Sequence, residues 1–580
     1  MTEIKMPKQI QFKLNSWLEN AGIVGLTRIL PKDKYEGDWN TLSVSTDELD
    51  NFANDYFSFF VKKYGKYIRY QQIVSMKDQL QNWQDDEFDN FDENNLEILL
   101  KWFDSTLKYS VNSKSYKKVI KFLNTDFDVA NEVKECNKLI RTLKKKNELV
   151  KSRNEAVRIL KELTSKFIQI IDYFETPQAK KYFPAKTLSY IVINNAWNGV
   201  SFLNPQAKNL DFYDDFQSYF VEPVKKYLAE DHSKDKYICS TCQRPMKKLE
   251  YSYGFLNGMG YDLNRKTSNA WNFSNDLYIC PICQLMYSVV SAGFTYNMSS
   301  QGIFINDNSS IIQLKESNNQ MLESMTSDLA KNSHASPYRA FASAFKNELA
   351  KSEKYTMANV QVITYDDSKY SFKIIPAIAS EVLKYAANKN WKNGSTMLTS
   401  LYSTGIQGFR GENYYSIFSA VINQLMNNTD LTNLIYTMEL LKVTKTQGCR
   451  YSTFNIMSLI CMNARLINEI SKLKGGSNIM EVNEDKLHKM RGCGVGIREG
   501  YASKANENKA QTLAYRMLEA LRSNNIEQFM DLLLNAYLYL DKIVPSVFIS
   551  SQTDQKVFKQ YGYAFVAGLI GEEFDSEESK

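Results

Sequence analysis

Two Cys-x2-Cys pairs, Cys239-Ser-Thr-Cys242 and Cys280-Pro-Ile-Cys283, constrain this chain more than any other feature of it. They are separated by 37 residues and hold half of the 8 cysteines. A Cys-x2-Cys loop lets two thiolates converge on one tetrahedral ion at about 2.3 Å, and two such loops close a four-sulfur shell with no open position. A centre of this kind is structural: it staples a loop-rich insertion that has too little core to fold alone. The intervening residues suit such an insertion, with Gly254, Gly258 and Gly260 among turn-prone asparagines. Cys239, Cys242, Cys280 and Cys283 are therefore the expected ligands of one structural zinc ion. An iron–sulfur cluster is the alternative metal, because a four-cysteine shell suits it too, and thiol–disulfide exchange is the alternative chemistry. His232, near the first pair, is expected to be a solvated loop residue rather than a fifth ligand.

The remaining cysteines, Cys136, Cys449, Cys461 and Cys493, stand singly in sequence with a helical pattern, which is no disulfide framework. The N-terminus lacks the apolar core of a secretory signal, and the expectation is a soluble cytoplasmic protein with no membrane association. The stretch Leu277 to Asn306 has no charged side chain, but its cysteines, glycines and amides point to a buried strand-and-loop segment. The 580 residues carry 71 Lys+Arg against 65 Asp+Glu, a formal charge of only +6, which excludes a histone-like polycation. With 3 histidines, little material exists for imidazole acid–base or metal catalysis.

The pattern along the chain predicts an α+β protein: a mixed N-terminal region carrying a zinc-ribbon-like four-cysteine insertion, followed by a C-terminal helical bundle. The expected divisions are 1–230 (mixed α/β), 231–300 (the four-cysteine, zinc-binding insertion), 301–420 (a mixed continuation) and 421–580 (the bundle with an acidic, disordered tail, Glu572 to Lys580). Near the start, Trp17, Leu18 and Ala21 share a helical face, Gly22 and Gly25 are read as breaking it, and Ile23 to Leu30 is read as a strand. Residues 131–166 read as one long helix with 11 Lys/Arg against 5 Glu. Val360–Tyr365 and Tyr370–Ile375 read as strands flanking a turn at Asp366-Asp367-Ser368. In the bundle, Ile526, Phe529, Met530, Leu533 and Tyr537 share one face behind a cap at Asn524-Asn525.

No phosphate-binding Gly-rich loop with its Lys is present, and none of the histidines opens a metalloprotease or deaminase motif. Arg491-Gly-Cys-Gly-Val-Gly-Ile-Arg-Glu-Gly500 has no strand before it and reads as a flexible loop. The acidic run from Asp85 to Glu93 reads as solvated surface, and no catalytic residue is identified. Basic residues interleaved with aromatics are the candidate nucleic-acid contacts. Lys62, Lys63, Lys66 and Arg69 accompany Tyr64, Tyr67 and Tyr70 in a segment read as a strand, where cations meet phosphates and rings stack on bases. Lys247, Lys248, Asn257, Arg265 and Lys266 lie in the four-cysteine insertion, whose loops can present basic tips to a duplex.

The opening Trp17-Leu-Glu-Asn-Ala-Gly-Ile-Val-Gly-Leu-Thr-Arg-Ile-Leu30, the paired knuckles ending Tyr278-Ile-Cys-Pro-Ile-Cys283, and the helical end with Ala514-Tyr-Arg-Met-Leu-Glu-Ala-Leu-Arg522 occur in this order. Together they resemble the large subunit of type I-B CRISPR effector complexes (Cascade). The resemblance implies a non-catalytic subunit that recognises the protospacer-adjacent motif on double-stranded DNA, helps open the duplex, supports the displaced strand and recruits a helicase–nuclease. Most sequence reading is then left to guide-RNA pairing. Its implied partners are guide RNA, target DNA, the backbone and repeat-RNA-processing subunits, and the helicase–nuclease. The C-terminal bundle resembles the small subunit of such complexes, with Met457 or Met480 as candidate internal starts for a separate product. A zinc-ribbon nuclease with an unrecognised carboxylate site is the competing reading, and a purely protein-binding factor is the third.

Overall fold

The computed structural model describes residues 7–123, 125–145, 153–206, 211–258, 277–330, 341, 360–367, 369–391, 394–411, 413–473, 480–504 and 507–571. They fall into two compact units, residues 1–337 with 363–371, and residues 338–362 with 372–580. The fold is mixed α/β, with the cysteines in a sheet-containing region and a helical C-terminal region. Arg265, Lys266 and the acidic tail lie outside the described residues.

The first unit opens with β1 (Gln9–Lys13), whose alternation buries Ile10 and Phe12. It is followed by helix α1 (Trp17–Ile29), β2 (Tyr35–Gly37) and β3 (Thr41–Ser45), and the strands pair in the order β1-β3-β2. The expected break at Gly22 and Gly25 and the strand from Ile23 do not occur. One helix runs straight through both glycines, and Leu18 through Thr27 are buried. A helix buried all round shows no amphipathic period, so its residues mimic a strand run. The glycines serve close approach instead: a Cβ on Gly25 would stand 2.2 Å from the carbonyl oxygen of Val289.

Next come α2 (Phe52–Tyr64), a short 3-10 turn over Gly65–Tyr67, and α3 (Arg69–Val74). The segment holding Lys62 to Tyr70 is thus helical, not a strand. The aromatic run Phe52, Tyr56, Phe57 and Phe60 has helical spacing and is fully buried, which carries the helix to Tyr64. The expected single helix over 131–166 is two helices, α4 (Val129–Lys145) and α5 (Arg153–Glu175). They pack antiparallel, since Glu132 at the start of α4 pairs with Lys166 late in α5 at 2.9 Å. Folding back lets the apolar stripe Cys136, Ile140 and Leu143 bury against Leu160, Leu163 and Phe167, which one straight helix would leave wet.

The cysteine region contributes the two-residue strands β4 (Tyr237–Ile238), β5 (Pro245–Met246), β6 (Tyr251–Ser252) and β7 (Tyr278–Ile279). Then follow α6 (Pro281–Ser288), α7 (Val290–Gly293), β8 (Thr295–Tyr296) and β9 (Gly302–Asn306). The uncharged stretch is buried as expected, but two short helices, not strand and loop, make up its first half. The expected hairpin forms, as β10 (Gln361–Asp366) and β11 (Lys369–Ile374), with Asp367 at the left-handed φ of 45°. These complete a sheet ordered β11-β10-β9-β8.

The second unit holds a small sheet, β13-β12-β14, of β12 (Gly405–Gln407), β13 (Tyr414–Ser416) and β14 (Cys449–Arg450). Its helices include α8 (Thr432–Val443), α9 (Thr453–Leu473), α10 (Glu484–Ser503), α11 (Glu507–Arg522), α12 (Ile526–Tyr539) and α13 (Gln555–Ile570). Phe529, Leu533 and Tyr537 are buried as the periodicity predicts, and the Asn525 side chain caps α12 by accepting from the Gln528 amide at 2.9 Å. The Arg491–Gly500 run is not a loop: it is the middle of α10. Gly494 and Gly568 let α10 and α13 cross backbone to backbone, since a Cβ at either would meet a carbonyl oxygen at 2.0 Å. That contact outweighs glycine's helix cost of about 1 kcal/mol. Among the described residues, no helix is long and apolar enough to cross a membrane.

Glu439 of α8 is fully buried, with both carboxylate oxygens lacking a hydrogen-bond partner. Burial holds its pKa well above the usual carboxylate range. The folded state therefore binds this proton more tightly than the unfolded chain, so stability is fullest below the ordinary Glu pKa. It falls as pH rises toward the raised folded value, by about 1.4 kcal/mol per pH unit inside that window. Glu439→Met should raise the melting temperature near neutral pH and above, with a gain that shrinks toward about pH 5. A pH-independent gain would assign the effect to packing instead.

Candidate metal centre

Two short antiparallel strand pairs carry the sulfurs. In the first, β4 pairs antiparallel with β5, and the turn between them holds Cys239 and Cys242. The Cys239 amide donates to the Arg244 carbonyl at 2.9 Å, and Gln243 takes the left-handed φ of 61° that the turn demands. In the second, β7 pairs with β6 and delivers Cys280 to the N-terminus of α6. Pro281 sits in the first turn of that helix, where it sacrifices no hydrogen bond, and the turn brings Cys283 round beside Cys280. Ser240 ties the halves together: its amide (3.0 Å) and hydroxyl (2.7 Å) both donate to the Tyr278 carbonyl.

All four sulfurs lie within 4.8 Å of one another. Cys239 and Cys283 stand 3.8 Å apart, and Cys242 and Cys280 stand 3.6 Å apart. A tetrahedron with metal–sulfur bonds of about 2.3 Å has edges of about 3.8 Å, so the residues present fit one metal ion. The spacing is too tight to enclose a multi-iron cluster, whose ligand sulfurs must span the cluster's own core. Cys239, Cys280 and Cys283 are buried, and Cys242 is half-buried. The Cys280 amide donates to Cys239 Sγ at 3.2 Å, a bond that favours the thiolate. Hydrogen bonds from neighbouring thiols push Cys239 down. At Cys242 the Cys239 contact raises the pKa, but those of Cys280 and Cys283 outweigh it and take it to about 7. Contacts with Cys239 and Cys242, together with burial, push Cys280 and Cys283 up. Four mutually adjacent thiols hold on to some of their protons; a divalent cation is what favours ionising all of them.

A layer of side chains behind the sulfurs was not foreseen. Burial opposes the charge of Arg244, but Cys242 and Cys280 outweigh it and raise its pKa, while its guanidinium donates to the Gln11 carbonyl at 2.6 Å. On the other side, Thr241 meets the Tyr287 hydroxyl at 2.9 Å, and Tyr287 donates to Glu19 of α1 at 2.6 Å. Ser16, before α1, donates to the same carboxylate. Ser288 presents its carbonyl to Tyr56 (3.2 Å) and Trp197 (2.8 Å), both fully buried. Arg28 caps α7, donating to the carbonyls of Ala292 (2.9 Å), Gly293 (2.8 Å) and Phe294 (3.1 Å). Burial lowers its pKa to about 10, and these oxygens receive the charge. The N-terminal block that accompanies the cysteines in sequence is therefore the floor on which their helix stands. Arg244, two residues after the first pair, was the one local clue to this layer.

His232 is not a freely solvated loop residue. Nδ1 meets Asp235 at 2.6 Å, Nε2 meets the Tyr227 carbonyl at 2.7 Å, and the ring stacks on Tyr227 with centroids 3.8 Å apart. Burial alone lowers its pKa, but the two acceptors overcome that and leave it raised. Cys136 is buried within the α4–α5 pair, and Cys461, Glu484 and His488 come together in the second unit.

The basic candidates are dispersed. Lys62, Lys63, Lys66 and Arg69 are exposed around the end of α2, with the Arg69 guanidinium 3.7 Å above the Tyr109 ring. The tyrosines among them face inward: Tyr64 is fully buried, and the hydroxyls of Tyr67 and Tyr70 donate to the carbonyls of Thr326 and Phe174. Lys247 and Lys248 are exposed just after β5. Asn257 is half-buried, its amide nitrogens donating to the carbonyls of Ala196 (2.9 Å) and Asn194.

No curated protein and no solved structure matches the chain. Residues 232–295, which hold all four cysteines together with α6 and α7, match the family model of a CRISPR-associated protein (Cas_CXXC_CXXC).

Proposed function

We propose that the chain is the non-catalytic large subunit of a type I-B RNA-guided CRISPR interference complex. In this reading it recognises the protospacer-adjacent motif on double-stranded DNA, supports R-loop formation and recruits a helicase–nuclease. The observation that carries it is the CRISPR-associated match over a closed four-sulfur centre whose helix is seated on the N-terminal block. One zinc ion held by Cys239, Cys242, Cys280 and Cys283 supplies no reactive position; it fixes the loops between the pairs. Guide RNA, target DNA, the backbone and repeat-RNA-processing subunits and the helicase–nuclease are the partners. A cytoplasmic location follows from that role.

The bundle bears on the internal-start idea. Met457 lies buried in α9, so a product from there begins inside a helix, whereas Met480 precedes α10 and leaves α10 to α13 whole. A start at Met480 is therefore the cleaner origin of a small-subunit-like product.

Because the tyrosines near α2 are turned inward, nucleic-acid contact there is by cations with phosphate rather than by stacking. Co-expression with backbone subunits and guide RNA should recover one complex, and that complex should bind target DNA more weakly as salt rises. The Lys62→Ala/Lys63→Ala pair should flatten the log–log salt slope by about two if both meet phosphates. Lys247→Ala/Lys248→Ala tests the insertion in the same way. Metal-dependent cleavage by the isolated chain, abolished by an acidic-residue substitution, would favour the nuclease reading; a salt-insensitive affinity would favour a protein-binding factor.

A further inference from the structure

The second unit brings together three side chains of metal-binding chemistry from two consecutive helices. Cys461 projects from α9, Glu484 opens α10, and His488 stands one turn further on the same face. Their donor atoms lie within 4.8 Å of one another. The surrounding structure fixes this meeting. Asn468, two turns past Cys461 on α9, holds Val482 by both amide groups: Nδ2 donates to its carbonyl and Oδ1 accepts from its N–H, each at 2.8 Å. Asn483 caps α10 by accepting from the Lys486 amide at 3.0 Å, and its own N–H donates to the Tyr561 hydroxyl at 3.0 Å. The first turn of α10 is thereby pinned against α9 before any ion arrives.

The Glu484 carboxylate is divided between two kinds of partner. Oε2 accepts from the Tyr385 hydroxyl at 2.7 Å, which orients the group. Oε1 faces His488 Nε2 at 3.8 Å and the Lys389 ammonium at 2.8 Å. Cys461 is 2% exposed, whereas the His488 side chain is 46% exposed and that of Lys389 42%, so the cluster is closed on the sulfur side and open on the imidazole side.

The geometry points to a second metal site, formed by Cys461 Sγ, Glu484 Oε1 and His488 Nε2, for a divalent ion of the zinc class. One sulfur, one imidazole and one carboxylate are the mixed donors that borderline-soft ions accept, and three protein ligands leave a fourth position to water. The site differs in kind from the four-sulfur centre: it is open, and its ion exchanges. Lys389 is its built-in competitor, a flexible cation that satisfies Glu484 when the metal is absent and swings into solvent when it binds. On binding, the Cys461 thiol gives its proton to water and the Sγ–metal bond replaces S–H. The site does not depend on the nucleic-acid role proposed above.

The test is a titration of the full-length protein, dialysed so that only its tightly held metal remains, with Zn2+ and in parallel with Co2+. The wild type should take up one further equivalent, and with Co2+ it should show a sulfur-to-cobalt charge-transfer band. Cys461→Ser should abolish that band, and His488→Ala should weaken the added equivalent at least tenfold, since losing a group that merely supports a ligand already costs about 10- to 100-fold. Lys389→Met, which removes the competing cation, should tighten it, an outcome that a purely structural ion-pair network does not produce. In each variant an unchanged helical circular-dichroism signal and a cooperative melting transition verify that the second unit is folded. No second equivalent in the wild type, or one indifferent to all three substitutions, overturns the proposal and leaves an ion-pair network only.

Discussion

Cys239→Ser should strip the tightly bound metal from the protein and unfold the segment around it. The Cys239 sulfur is fully buried, lies 3.8 Å from Cys283 and accepts the Cys280 amide, so a serine there removes one of four ligands and a thiolate acceptor together. Structural zinc contributes about 10–16 kcal/mol of apparent binding energy in small zinc-dependent folds, more than strands of two residues can replace. Metal analysis should fall by one equivalent, and limited proteolysis should cut between the two pairs. Hydrogen exchange should rise in α6 and spread into α1, because the chain from Thr241 through Tyr287 to Glu19 joins the first knuckle to that helix. Cys136→Ser, in the α4–α5 pair, should leave the metal in place. A Cys239→Ser protein of normal melting temperature whose wild-type parent binds no metal would dismiss the structural role outright.

Gly293→Val should be nearly as damaging, although Gly293 has no side chain to offer a metal. A Cβ on Gly293 would stand 2.0 Å from the Ala21 carbonyl oxygen, and one on Gly25 would stand 2.2 Å from that of Val289, so α1 and α7 touch backbone to backbone. Nothing flexible is available to yield. The helices must part, pulling Arg28 away from the carbonyls that receive its charge and leaving a buried cation uncompensated. The expected loss is at least about 3 kcal/mol, at the severe end for overpacking. Weaker metal retention should follow, because α7 directly continues the helix that carries Cys283. Gly492→Ala provides the contrast. It sits in α10 with nothing within 4 Å of a built Cβ, so it should be neutral or stabilising by up to about 1 kcal/mol. Equal effects of the two substitutions would refute the close crossing.

The four-sulfur centre was legible from spacing alone because a Cys-x2-Cys loop is a local device: two residues of separation already set the reach of both thiolates. The β10–β11 hairpin and the Asn525-capped α12 were legible for the same reason, turn chemistry and periodicity acting within a dozen residues. The errors cluster where a distant partner decides. Gly22 and Gly25 read as breakers because the sequence does not announce that α6 and α7 will lie against them, and Gly494 read as a loop residue because the backbone of α13 is not its neighbour in the chain. The tyrosines among Lys62 to Arg69 looked like stacking rings until the core claimed them.

The sequence by itself therefore determined which four cysteines cluster, the helical end and the scarcity of histidine, all of which rest on residue type and short spacing. Only the tertiary structure decided that the N-terminal block is one helix beneath the sulfurs. It also decided that residues 131–166 fold back on themselves and that Cys461, Glu484 and His488 meet. Each of these depends on burying a face against another element of the chain. The free energy of such burial belongs to the pair of surfaces, and neither sequence segment carries it alone.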